Sequence, residues 1–182
     1  VNGADPHKLV EVSFDHDSSL MVALIVPDSI VKQLKDLKVI DDSNPATLQD
    51  DKFHVTLLWL GKEQQDLADD VERAVRSVVL GHEPLRAEIA GFGRFNKGED
   101  GVPVIAMIDC KGLNLLQADL FKEVARVAEL PSEHGFFPHM TIAYSDSPDV
   151  KMPVLEETVS WMVESVCVCV GKEDHRELRF NE

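Results

Sequence analysis

Positive charge is scarce in this chain: Lys and Arg number 18 against 33 Asp and Glu, a formal net charge of −15 over 182 residues. Proteins that grip long nucleic acid draw most of that affinity from basic side chains displacing counterions around phosphates, so a long nucleic-acid partner is excluded by bulk electrostatics. A small anionic ligand is not excluded, because a few local cations and the N–H groups of helix starts outweigh an unfavourable global field. Long apolar runs are missing too. None reaches the roughly 18 residues of a membrane span, and the N-terminus lacks the charged-then-apolar order of a secretory leader. A soluble, cytoplasmic monomer without membrane contact is expected. The cysteines, Cys110, Cys167 and Cys169, are odd in number, sit in apolar stretches and lack paired metal-ligand spacing, which points to reduced, buried thiols. Gly91-x-Gly93 lacks the third glycine and the following helix of a dinucleotide fingerprint.

An apolar fraction of 44% suffices for a real core. Residues 1–10 are expected to lie outside it, as a disordered start or a cloning remnant, and 11–182 to form one bilobal domain. Leu20 to Val26 is an apolar run short enough for a central strand, ended by Pro27-Asp28. Ser29 then reads as the cap of a helix to about Leu37, with Ile30, Leu34 and Leu37 on one stripe. Asp41 to Asp51 lacks periodicity and reads as a loop. Leu67, Val71, Ala74, Val75, Val78 and Val79 mark a helix within Glu63–Leu80, and Leu116, Leu120, Val124 and Val127 another within Leu113–Leu130. Leu85–Ala90 and Val102–Ile108 read as strands joined by the glycine-rich segment Phe92–Gly101, and Val163–Val170 and Glu177–Phe180 as closing strands.

One pattern occurs twice. Phe53-His54-Val55-Thr56-Leu57 and Pro138-His139-Met140-Thr141-Ile142 both place histidine and threonine two apart in an apolar stretch of strand character. Successive strand side chains alternate in direction, so His54 and Thr56 share one face about 6.5–7 Å apart, as do His139 and Thr141. The histidines stand 85 residues apart, and the order strand, helix, His-x-Thr strand repeats around them. Two related α+β lobes, each an antiparallel sheet with flanking helices, facing across a cleft, are the expected architecture. Imidazole, with an unperturbed pKa of about 6.5, both accepts and donates protons near neutrality. Two of them can therefore break a phosphodiester without a metal, one relieving the attacking oxygen of its proton and the other protonating the leaving oxygen. Threonine hydroxyls would hold the non-bridging oxygens.

These two motifs resemble the signature pair of the two-histidine (2H) phosphoesterase superfamily, which includes 2′-5′ RNA ligase-like proteins and cyclic phosphodiesterases. The resemblance extends in element order from about Leu20 to Phe180, with Gly91-Phe92 to Phe95 and Val104 to Ile108 similar to the family's middle segment. It implies that His54 and His139 are the catalytic acid and base, without saying which is which, and that Thr56 and Thr141 bind phosphate. It implies no cofactor, and a small nucleotide, cyclic oligonucleotide or RNA end as substrate. Many relatives carry an arginine after the second motif, where this chain has Ala143-Tyr144-Ser145.

The expected activity is that of a hydrolase, a phosphodiesterase opening a cyclic phosphate or a 2′-5′ or 3′-5′ linkage. The alternatives are a nucleotide-sequestering module without turnover, an RNA 2′-5′ ligase, or a structural lobe of a larger protein. Phe137 shares the parity of His139 and is a candidate for stacking on a base. Arg94 and Lys97 are the candidate phosphate cations. Trp59, by parity with Val55 and Leu57, is expected in the core. Zinc held by His54 and His139 is a further alternative, disfavoured because neither has a carboxylate or thiol at ligand spacing, so no metal is expected there. His7, His16, His82, His134 and His175 read as surface residues, and Asp15-His16-Asp17 as a solvated turn in preference to a metal site.

Overall fold

The computed structural model describes residues 18–41, 53–131 and 135–181. Eight strands are described: β1 (Leu20–Ile25), β2 (His54–Trp59), β3 (Leu85–Arg94), β4 (Val102–Cys110), β5 (His139–Ser145), β6 (Ser160–Val163), β7 (Ser165–Val170) and β8 (Asp174–Arg179). Three α-helices accompany them, α1 (Asp28–Asp36), α2 (Ala68–Val79) and α3 (Leu113–Val124), with a 3₁₀ turn at Gln65–Leu67. All strands join one antiparallel sheet in the order β6-β3-β4-β5-β2-β1-β7-β8. The α+β class is therefore as expected. The two halves, β6-β3-β4-β5 and β2-β1-β7-β8, are continuous through the pairing of β5 with β2, where Val55 stands opposite Met140. Between β6 and β7 lies only Glu164, a link that spans at most about 7 Å. Strands at distant places in the order are thereby brought together, and the sheet curls.

The core fills the space between one face of this sheet and the helices. Val55, Met140, Val166 and Val168 meet Leu34, Val71, Val75, Leu113, Leu116 and Leu120 in one buried cluster. Each helix contributes a stripe because its apolar residues recur every three or four positions. Arg176 of β8 pairs with Asp69 at 2.7 Å and Glu72 at 3.3 Å, tying the edge strand to α2.

Several local expectations give way to tertiary context. Pro27, not Ser29, precedes α1, which has no side-chain cap, so Ser29 lies within the first turn. The α3 helix stops at Val124 and leaves Val127 exposed. Trp59 is 37% exposed, not in the core. Its parity is broken by a bulge: Ala23 pairs Thr56 and Val22 pairs Leu58, leaving Leu57 unpaired, so Leu57 and Leu58 are both buried and Trp59 turns outward. His82 is no plain surface residue either, since its Nε2 lies 2.8 Å from an Asp119 carboxylate oxygen. Residues 1–10, most of the loop from Asp41 to Asp51, Asp15-His16-Asp17, His7 and His134 lie outside the described residues.

Candidate active site

The sequence alternation that buries Val55 and Met140 sends their neighbours to the opposite face. His54, Thr56, His139 and Thr141 are all half-buried there. β2 and β5 run antiparallel and pair at Val55 and Met140; continued one step to either side, that register would set His54 beside Thr141 and Thr56 beside His139. Directly opposed side chains in such a ladder have Cβ atoms about 4.5–5.5 Å apart, and diagonal ones about 7–8 Å. The two histidines occupy one diagonal of this square and the two threonines the other.

The square sits in two longer rows across the sheet. One runs Ile25, His54, Thr141, Ile105, Gly93; the other Ala23, Thr56, His139, Met107, Gly91. Two glycines thus end the rows on β3. A Cβ added at Gly93 would meet nothing within 4 Å, so the groove floor is open there. Each motif strand also carries its bulge at the same point. On β2 the unpaired residue is Leu57, directly after Thr56; on β5 it is Ile142, directly after Thr141, since Ile105 pairs Thr141 and Val104 pairs Ala143. Bulges bend and twist a strand and end its regular alternation, so both motifs stop at their threonine for the same reason.

His139 is held on two sides. Its Nδ1 lies 2.7 Å from the carbonyl oxygen of Phe137. A carbonyl only accepts, so Nδ1 carries the hydrogen and Nε2 is the nitrogen left for proton exchange. The ring of Phe95 packs edge-on against the imidazole, centroids 4.8 Å apart at 89°. Phe137, half exposed, completes the group at 6.1 Å from Phe95 and 6.2 Å from His139. Phe137 therefore lies beside the motif face as its parity implies. Phe95 was not singled out by sequence reasoning, because its approach to His139 depends on the β3-β4-β5 registers, and no local periodicity encodes those.

Arg94 and Lys97 are exposed, at the end of β3 and in the following loop. Among the described residues neither makes an ion pair, and neither is brought into contact with the histidines. No thiol or carboxylate joins His54 or His139 in a metal-ligand group among the described residues. The arrangement of imidazole, hydroxyl, imidazole and hydroxyl around one open floor is suited to proton transfer on a bound anion.

The sequence model of the 2′-5′ RNA ligase superfamily matches residues 26–175, spanning both motifs. This chain belongs to that superfamily, within the 2H phosphoesterases. A search of curated protein sequences finds no match. Among solved structures, TT0787 of Thermus thermophilus is similar with a TM-score of 0.71 at 21% identity, covering 90% of this chain and 100% of that one. LigT of E. coli, complexed with 3′-AMP, is similar with a TM-score of 0.64 at 20% identity, covering 89% and 95%. LigT has also been solved with ATP and with NADP+. The PDE domain of MHV ns2 is more distant, with a TM-score of 0.50 at 13% identity over 80% and 90% of the chains. At these identities the likeness shows the fold alone. No helix among the described residues is long and apolar enough to cross a membrane.

Proposed function

We propose that this protein is a metal-independent phosphodiesterase that opens a cyclic phosphate, or a 2′-5′ or 3′-5′ linkage, in a small or cyclic nucleotide or at an RNA end. One observation supports the reading: Val55 of β2 pairs with Met140 of β5, so the two His-x-Thr motifs are carried on neighbouring strands. Binding alone would not call for two proton-transfer groups, which favours turnover over sequestration. The nucleotides named with LigT, 3′-AMP, ATP and NADP+, support a ligand of that size.

In this reading the phosphate lies between the diagonal histidines, its non-bridging oxygens accepting hydrogen bonds from Thr56 and Thr141. One imidazole takes a proton from the incoming water as its oxygen bonds to phosphorus. The other, as imidazolium, protonates the ribose oxygen as the opposite P–O bond breaks. His139 works through Nε2, its Nδ1–H spent on the Phe137 carbonyl. The exposed ring of Phe137 offers a base a stacking surface, and Arg94 and Lys97 supply positive charge near the groove mouth. Ligation runs the same proton transfers in reverse and is the second outcome to look for.

The test is incubation with 2′,3′-cyclic nucleotides, 2′-5′ oligoadenylates, cyclic di- and trinucleotides and ADP-ribose cyclic phosphate, followed by mass spectrometry of the products. His54→Ala and His139→Ala should each lower turnover about 10³-fold or more with unchanged circular dichroism. Turnover should persist in EDTA. Full activity in both variants, or complete loss with chelator in protein whose circular dichroism shows it still folded, would overturn the reading.

A further inference from the structure

Two strands away from the histidines, on the same face of the sheet, lies a cluster that the phosphoesterase chemistry does not use. Cys167 and Cys169 sit two apart on β7 and are 4% and 1% exposed, packed with Ala23, Met21 and Ile25 apart from the main core. Their Sγ atoms are 3.5 Å apart. The tight turn after Val170 returns the chain so that His175 on β8 stands opposite Cys169, and Glu177 opposite Cys167. The two sulfurs and a ring nitrogen of His175 all lie within 4.8 Å of one another.

We propose that Cys167, Cys169 and His175 form a binding site for a thiophilic divalent cation, with Zn²⁺ the ion it fits. In a tetrahedral site with Zn–S bonds of about 2.3 Å, two thiolates stand about 3.8 Å apart. The observed sulfur separation is close to that edge, and the hairpin sets the third donor without rearrangement of the backbone. Charge agrees as well. Two thiolates cancel the dication, so a complex with neutral imidazole and one water carries no net charge into a largely apolar pocket. On binding, each thiol gives up its proton to solvent, and no electron is transferred. An entry path exists, because Cys167, His175 and Glu177 line a cleft that also includes Asp28 and Ser165. Water reaches the fourth position through it. Soft sulfur donors discriminate against Mg²⁺ and Ca²⁺.

The role of the ion is structural. Strands are spaced about 4.8 Å apart, which puts β7 about 10 Å from β2 and the metal out of reach of a phosphate between the histidines. It would clamp the β7–β8 hairpin and cover the β1 side chains beneath it. His175 is thus not a plain surface residue: it is half-buried and paired across the hairpin. The single-residue Cys-x-Cys spacing does not look like a paired metal motif, and only the strand pairing reveals the third ligand.

The experiment is titration of the reduced, metal-stripped full chain with Zn²⁺ against a chromophoric chelator, and with Co²⁺ followed by absorption. One equivalent should bind, Co²⁺ should give sulfur-to-cobalt charge-transfer absorption and tetrahedral visible bands, and Zn²⁺ should raise the melting temperature. Cys167→Ser and Cys169→Ser should weaken binding roughly 100-fold or more, whereas Cys110→Ser should bind as the wild type does. Excess Mg²⁺ should not compete. Absence of stoichiometric binding, a cobalt spectrum without thiolate bands, or unchanged affinity in the Cys167→Ser/Cys169→Ser double variant would each overturn the site. The wild-type cobalt spectrum decides even if a serine variant fails to fold. All of these readouts are independent of catalytic activity.

Discussion

Cys110 ends β4 half-covered by its neighbours and next to Asp109, and both circumstances disfavour a thiolate. Burial is the larger cause and the adjacent carboxylate the smaller, and together they push the thiol from 9.0 to about 11. At pH 8 the two-unit shift cuts the thiolate fraction about 100-fold, and alkylation follows the thiolate. In a Cys167→Ser/Cys169→Ser background, iodoacetamide should therefore modify Cys110 about 100-fold more slowly before unfolding than in denaturant. Equal rates would contradict this. The folded-state value lies above the unfolded one, so the associated stability is intact below pH 9 and declines as pH rises towards 11. His54, Thr56, His139 and Thr141 are recognisable from sequence because both the chemistry and the two-residue period are local. Phe95 and His175 are not, since each acquires its place from strand pairing, Phe95 from the β3-β4-β5 registers and His175 from the turn that sets β8 against β7.

The β2–β5 pairing fixes the square of side chains, and it rests on buried Val55 and Met140. Met140→Ala leaves a cavity where no solvent reaches, and should cost about 2–5 kcal/mol of unfolding free energy in a urea titration. It should also lower the turnover of the folded fraction, because the ladder at the motifs loosens. Leu116→Ala, equally buried but on α3, should cost similar stability and spare the turnover of folded molecules. Equal effects of the two on turnover would argue against the junction as the positioning element. Strand and helix order was readable along most of the chain from apolar periodicity. Ends and faces were less so: Trp59 turned outward because of the Leu57 bulge, and a bulge is a property of two paired strands, invisible in either alone.

The molecule as a whole repels the anions it is proposed to bind. With a net charge of −15, the long-range field opposes a nucleotide's approach, and salt screens that field over a Debye length of about 10 Å at 0.1 M. Second-order rate constants kcat/KM on an anionic substrate should therefore rise as ionic strength increases from low values. A steady fall would mean that Arg94, Lys97 and their neighbours dominate the approach. The sheet's curl has a mechanical consequence. Its halves are joined along the β2–β5 seam, through Glu164 between β6 and β7, and through the one buried core they share with α2 and α3. Parting the halves would strain the short Glu164 link and the shared core along with the seam. In the proposed reading, the fold and not the ligand then sets the spacing between the imidazoles.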